Sequence, residues 1–241
     1  MELKNYYDVL IIGGGIGGLM AAHRLTENDP SLQVCLVEQG NPLEHRKCPI
    51  VAGQTNRCVR CKSCAIMEGI GGAGAFSDGK YVISTEYGGW LTDFLPREVV
   101  LEYIEQADRI LVSHGATTER YTPNNELKKL CLQYDLHMQQ AQLKHLGTDS
   151  NFDTMVRLVK SLEHRCQILT GTRATDVDIR TRQITLEDRK GSRTTTAGQV
   201  IFAVGRAGSK LFSAWCARNG VQLQNNQVDI GVRVELWPLT V

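Results

Sequence analysis

Three glycines near the start of the chain have a spacing that suits the binding of a pyrophosphate. Gly13, Gly15 and Gly18 satisfy the pattern G-x-G-x-x-G. In that pattern the first glycine permits a tight turn, the second lets the backbone approach the pyrophosphate, and the third lets a helix pack closely on a strand. The start of that helix also offers unpaired N–H groups and a positive dipole end. We therefore expect this turn to bind a dinucleotide through Gly13, Gly15, Ile16, Gly17 and Gly18.

The elements around the glycine turn form the βαβ unit that such a site needs. An apolar run at residues 7–12 predicts a strand buried on both faces, and the apolar spacing at 19–25 predicts a helix. A second buried strand at 34–37 ends on Glu38. A carboxylate there accepts hydrogen bonds from both ribose hydroxyls and repels a 2′-phosphate, so Glu38 and the adjacent Gln39 are predicted cofactor contacts. The alternative interpretation is a glycine-rich turn without a ligand.

Four cysteines in a short segment could hold a metal or do redox chemistry. Cys58, Cys61 and Cys64 form C-x-x-C-x-x-C, which lets three thiolates converge on one centre. The ferredoxin pattern has its next cysteine four residues further on, where this chain has Glu68, so Cys48 is the candidate fourth ligand. A [4Fe–4S] cluster and a zinc ion are equally acceptable to four thiolates. A redox thiol pair, and reduced thiols without a role, are the other interpretations.

The composition excludes several classes of protein. The chain has 241 residues, 42% of them hydrophobic, which is enough to fill the core of one sizeable domain. Its 27 Lys and Arg balance 26 Asp and Glu, so nucleic acid is not an expected partner. The most apolar stretch, residues 9–20, is interrupted by five glycines and is too short to cross a membrane. No signal-peptide pattern is present and clustered thiols suit a reducing compartment, so we expect a cytoplasmic protein without membrane contact.

The rest of the chain predicts a second block of α/β structure. A helix at 151–162 is followed by a short strand at 166–170, and a buried strand at 199–204 ends at Gly205. Between them, three short strands at 174–180, 183–187 and 193–196 are expected to form an antiparallel meander. The predicted fold class is therefore α/β, a Rossmann-like domain with a central parallel sheet and a three-stranded antiparallel meander.

Residues in the middle of the chain have a different pattern. Helices are expected at 96–113 and 124–132, separated from the parallel-strand patterns. We expect residues 1–85 and 150–220 to form one discontinuous dinucleotide-binding domain. Residues 86–149 and 221–241 are then the predicted substrate region, an inserted and incomplete α+β part of the fold.

This order of elements resembles the flavoproteins of the glutathione reductase type, which have two dinucleotide-binding domains. The resemblance rests on the N-terminal βαβ unit, the meander, and the strand that ends in Ala203-Val204-Gly205. It implies that the glycine turn holds FAD rather than NAD. It also implies that Ala174 contacts the adenine through its backbone, and that Ala203 and Gly205 close the fold near the dinucleotide.

A closer resemblance is carried by five motifs distributed over the chain. They are Cys48-Pro49-Ile50, residues 58–64, the glycine-rich stretch 69–80, residues 145–149 and residues 229–235. Together they are similar to a group of bacterial and archaeal FAD-dependent dehydrogenases. The resemblance implies that Gly72, Ala73 and Gly74 run along the isoalloxazine ring of FAD, with Lys80 as a cation near it. The alternative for this loop is a surface turn between two strands.

The resemblance also implies a reaction and partners. We expect hydride or electron transfer through flavin N5, with a small-molecule redox substrate and NAD(P)H as the reductant. Members of the group continue beyond the 229–235 motif, whereas this chain stops at Val241. The missing C-terminal half, or an electron-transfer protein, is therefore an expected partner. The alternative function is a dinucleotide-binding fragment that is non-catalytic or depends on a partner and has a structural four-cysteine metal site.

Overall fold

The fold consists of one large sheet flanked by helices and one small sheet. The computed structural model describes residues 2–86, 88–122, 124–138, 141–225 and 230–232, so most of the 229–235 motif lies outside the described residues. The strands are β1 (Tyr6–Ile12), β2 (Val34–Val37), β3 (Lys80–Ile83), β4 (Gln142–His145), β5 (Gln167–Leu169), β6 (Arg173–Asp178), β7 (Gln183–Asp188) and β8 (Gly191–Phe202). The α-helices are α1 (Ile16–Asn28), α2 (Arg97–Ser113), α3 (Asn125–Gln133), α4 (Thr148–Leu162) and α5 (Gly205–Arg218).

The large sheet has the order β5-β2-β1-β8-β7-β6, and the strands at its centre are parallel. Residues alternate between its two faces along β1. Val9 and Ile11 pack in a cluster with α1 and α4, whereas Leu10 and Ile12 pack in a cluster with the antiparallel strands. Because both faces of β1 are covered, its apolar run is nearly continuous, as the sequence predicts. The Rossmann-like α/β fold with an antiparallel meander is thus confirmed.

One long strand replaces two predicted short ones. The sequence predicts separate strands at 193–196 and 199–204, but β8 is continuous over its 12 residues. Its first half pairs antiparallel with β7, and its second half pairs parallel with β1, where Ile201 lies opposite Ile11. The two strands were predicted because the pattern changes from that of a short meander strand at 193–196 to that of a buried strand at 199–204. A side chain at Gly198 would place its Cβ 2.9 Å from the carbonyl oxygen of Asp8, so the close approach of β1 favours glycine inside the strand.

The small sheet and α2 are connected by a buried ion pair. β3 pairs antiparallel with β4, and Lys144 of β4 is only 1% exposed. Its Nζ lies 2.7 Å from Oδ1 of Asp108 on α2, and Arg120 lies 2.9 Å from the other oxygen of that carboxylate. The charges are therefore compensated although they are removed from water. Within the part of the chain that the structure describes, no helix has the length and apolar character to span a bilayer.

Candidate functional site

Three loops meet at the carboxyl edge of the parallel strands. Gly13 follows β1, and its N–H donates to the carbonyl of Val37 at 2.8 Å, while Ala203 after β8 donates to the carbonyl of Ile12 at 2.8 Å. Gly13 has a φ of 110°, and a Cβ there would lie 2.3 Å from the carbonyl oxygen of Ala203. A side chain is therefore excluded at this turn. The predicted residues Gly13 and Ala203 lie in direct contact, at the edge where ligands of parallel sheets bind.

Helix α1 begins next to this turn with its first N–H groups uncapped. Gly15 is the N-cap residue and no side chain caps the helix or places an acidic group in its first turn. Ile16 and Gly17 are exposed. At Gly18 a Cβ would lie 1.9 Å from the carbonyl oxygen of Gly13, so only glycine permits the close contact between helix and turn. The arrangement presents backbone N–H groups and a positive helix end to an anion.

Glu38 is buried at the end of β2 and accepts hydrogen bonds from three backbone N–H groups. Gly14 donates to Oε2 at 2.8 Å, and Gly40 and Gly69 donate to Oε1 at 2.8 and 3.0 Å. A carboxylate has about four acceptor positions, so one remains on Oε2 for a ribose hydroxyl. The sequence predicted a cofactor contact at Glu38 but not that its carboxylate also connects two loops.

Arg46 is a buried cation next to this site that the sequence did not indicate. Charged side chains in loops are usually solvated, but the structure buries Arg46 to 4% exposure. Its guanidinium donates hydrogen bonds of 2.7–3.0 Å to four backbone carbonyls, those of Ala65, Ile66, Ile70 and Gly72. Burial lowers the pKa of the Arg46 guanidinium, and the negative charge of Glu38 opposes that shift. The only available signal was general: a buried charge needs hydrogen-bond partners. Nothing local in the sequence indicates that Arg46 is buried.

The predicted glycine-rich loop lies directly against the dinucleotide turn. It contains a short 3-10 helix, Gly72–Phe76, which includes Ala73 and Gly74. The N–H of Gly71 donates to the carbonyl of Gly14 at 2.8 Å, and a Cβ on Gly72 would lie 3.0 Å from the Cα of Gly15. The structure thus brings Gly72 to the side of Gly15, although the two are 57 positions apart in the sequence.

Asn151 of α4 holds the other end of this loop. It is buried, its Nδ2 donates to the carbonyl of Gly74 at 2.8 Å, and its Oδ1 accepts a 2.6 Å hydrogen bond from the Tyr81 hydroxyl. Burial raises the pKa of Tyr81. Asn151 reaches the loop because α4 begins at Thr148, with Gly147 as its N-cap, three residues earlier than the predicted start at 151. The glycine-rich loop is therefore fixed at both ends by buried polar side chains.

A cavity of about 330 Å³ opens beside Gly13 and Glu38. Gln39 and Ala174 also line it, so four of the predicted cofactor contacts share one cavity. Gly205, at the start of α5, is not among its lining residues. The cavity also has an aromatic wall, defined as Phe202 of β8 with Phe212 and Trp215 of α5, a helix that the sequence did not assign to the site. Val204, between these two elements, lines the cavity as well.

The aromatic wall is held in place by stacking and one hydrogen bond. The ring centroids of Phe202 and Phe212 are 4.9 Å apart, and Trp215 donates from Nε1 to the carbonyl of Val177 at 2.8 Å. Aromatic residues three positions apart on the helix after Gly205 were the available sequence signal. A cavity lined by aromatic and aliphatic side chains together with a carboxylate suits an adenosine group.

The four candidate metal ligands are not brought together. Cys58 and Cys61 are exposed, Cys48 and Cys64 are half-buried, and all four are free thiols. Among the described residues, which include all four, no group of three or more Cys, His, Asp or Glu is arranged to hold a metal ion. The arrangement of the described thiols does not fit a four-cysteine centre.

Together, these features define a Rossmann-like α/β fold with a glycine turn, a buried carboxylate and a cavity at the carboxyl edge of its parallel strands. The sequence model of one family, described as pyridine nucleotide-disulphide oxidoreductase, matches residues 7–229. The chain belongs to this family, whose members are FAD-dependent enzymes. The resemblance to glutathione-reductase-type flavoproteins and the expectation of FAD are thereby confirmed at the level of the family.

A solved structure of another protein shows the same fold. Glycine oxidase from Geobacillus kaustophilus matches with a TM-score of 0.50 and 16% identity over 91% of this chain and 60% of that one. Thermovibrio ammonificans THI4 matches with a TM-score of 0.48 and 16% identity over 90% of this chain and 64% of that one. The chain therefore spans less than two thirds of either protein. A search among curated proteins found no match.

Proposed function

We propose that the chain binds FAD across the carboxyl edge of its parallel sheet and serves as the FAD-binding part of an oxidoreductase. The observation that supports this most strongly is the junction of three features at Gly13. These are the uncapped start of α1, the cavity beside Glu38, and the glycine-rich loop against Gly15. The three features are adjacent and differ in chemistry. They suit, in this order, the anionic pyrophosphate, the adenosine and the flat ring system of FAD.

The residues divide the binding task among them. The N–H groups at the start of α1 would bind the pyrophosphate, and Glu38 would accept one ribose hydroxyl beside the cavity that Ala174 and Phe212 line. When bound, FAD supplies hydride and electron transfer through flavin N5. The small residues of the loop 72–74 leave room for a ring beside them. We further propose NAD(P)H as the reductant and a small-molecule redox substrate.

The anion site can be tested at Gly17 without a clash. A Cβ at Gly17 meets nothing within 4 Å, so a side chain fits there. A carboxylate in the first turn of α1 stabilises the helix but repels a pyrophosphate. We expect Gly17→Glu to weaken FAD binding by more than about tenfold while Gly17→Gln, of equal size and uncharged, weakens it much less. Equilibrium dialysis with FAD measures both.

Two results would contradict the proposal. One is a purified wild-type protein that retains no FAD after the cofactor is added. The other is a Gly17→Glu variant that binds FAD as tightly as the Gly17→Gln variant. Turnover of NADH or NADPH with an artificial electron acceptor then tests the proposed reductant separately, because FAD binding does not require it.

A further inference from the structure

Two buried side chains of opposite charge hold one backbone segment between them. Glu38 is 7% exposed and Arg46 is 4% exposed, and among the described residues they form no direct salt bridge with each other. Glu38 accepts the N–H of Gly69, whereas Arg46 donates to carbonyls of the segment 65–72. Glu38 thus accepts a hydrogen bond from this segment, and Arg46 donates hydrogen bonds to carbonyls of the same segment.

This arrangement makes the two charges depend on each other. A buried charge is costly unless hydrogen bonds and an opposite charge compensate it. Here the compensation passes through the backbone of 65–72, which in its observed conformation binds both side chains. Replacement of either side chain therefore leaves the other with incomplete compensation and releases the segment.

The segment connects the two halves of the proposed cofactor site. On one side, Glu38 lines the cavity and accepts the N–H of Gly14. On the other side, the Arg46 guanidinium lies 4.7 Å above the ring of Phe76, at the end of the glycine-rich 3-10 helix. The ring of Phe76 in turn stacks on that of Phe152 in α4, with centroids 5.7 Å apart.

We propose that Glu38 and Arg46 form a clamp, defined as these two side chains and the segment 65–72, that sets the position of the glycine-rich loop relative to the dinucleotide turn. Arg46 is then a positioning residue for the flavin half of FAD, although it lies against backbone and the Phe76 ring. Glu38 carries the coupling, because the same carboxylate fixes Gly69 and keeps one acceptor position for the adenosine half. This inference rests on the proposed FAD function.

The test compares a ligand that fills the whole site with one that fills the adenosine half. Dissociation constants for FAD and for ADP are measured by calorimetry on the wild type, Arg46→Gln, Arg46→Lys and the exposed control Arg57→Gln. We expect Arg46→Gln to weaken FAD binding about tenfold or more but ADP binding by less than about threefold. Arg46→Lys should fall between, because an ammonium offers three donors and no planar fork. The control should match the wild type.

A second readout does not depend on FAD. In the FAD-free protein, hydrogen exchange at the Gly69 and Gly71 amides should be faster in Arg46→Gln than in the wild type, and unchanged in Arg57→Gln. The clamp is refuted if the ratio of FAD to ADP affinity is unchanged in both Arg46 variants, or if these amides remain protected. If Arg46→Gln does not fold, the affinity ratio of Arg46→Lys decides alone.

The two proposals fail in different ways. A wild-type protein that binds ADP but not FAD contradicts the proposed function, and the exchange rates then still decide whether the clamp orders the loop. A wild-type protein that binds FAD with an unchanged affinity ratio in the variants contradicts the clamp alone.

Discussion

The substitution Glu38→Gln tests the central hydrogen-bond junction of the site. The amide oxygen of glutamine can keep the bonds from Gly40 and Gly69, but its NH₂ group would then face the N–H of Gly14. One charge-assisted bond is replaced by two opposed donors, at a cost of about 2–3 kcal/mol, and two bonds lose their charge, at about 0.5–1 kcal/mol each. The expected loss in the free energy of unfolding is therefore about 3–5 kcal/mol, a large part of the stability of an ordinary domain.

Urea denaturation of the FAD-free protein, followed by far-UV circular dichroism, measures this loss. The matched control is Glu44→Gln, which removes an exposed carboxylate from the same loop and should change the stability by less than about 0.5 kcal/mol. The slope of the unfolding free energy against urea should remain unchanged, so that the midpoint reports stability. If Glu38→Gln unfolds at the same midpoint as the control, the three hydrogen bonds to Glu38 do not support the loops.

Three further predictions concern packing, buried charge and pH. Gly18→Val should abolish folding or FAD binding, because even a Cβ would lie 1.9 Å from the Gly13 carbonyl oxygen; soluble yield and retained flavin absorbance measure this. Lys144→Met should lower the free energy of unfolding by about 3–5 kcal/mol in urea denaturation, because it leaves the buried carboxylate of Asp108 with Arg120 alone. The double variant Lys144→Met and Asp108→Leu should regain part of this loss. Burial lowers the pKa of His23 below its usual 6.5. The protein's free energy of unfolding is therefore complete above about pH 6.5 and falls as the pH drops through the lowered pKa. His23→Phe should flatten the dependence of Tm on pH between about 7 and 5, and an unchanged dependence would refute this role.

Local patterns were sufficient to predict the first βαβ unit. The buried strands at β1 and β2, the glycines between them and the carboxylate at 38 are all short-range features, and each lies where the periodicity placed it. The meander was predicted for the same reason, since β6 and β7 are joined by a short turn. Prediction was poorer at β8, because its second half is held by β1, almost two hundred residues earlier in the chain.

The site shows the same division between local and distant contacts. The spacing of Gly13, Gly15 and Gly18 sets the turn whatever surrounds it, because a tight turn and a close helix contact are steric properties of a few neighbouring residues. The role of Arg46 has no such local signature. A cation in a loop has the same pattern whether it is solvated or buried, and its four carbonyl partners at 65–72 identify it only in the folded chain.

The amino-acid order thus determined the fold class, the dinucleotide turn and the position of Glu38 at the end of a strand, since these follow from periodicity and sterics over a few residues. Chain folding decided which distant groups complete the site. It placed Gly72 beside Gly15, and Phe212 and Trp215 in the same cavity as Glu38. The physical reason is that buried charges and close backbone contacts are satisfied in three dimensions, by whichever segments the packed sheet brings within hydrogen-bond distance.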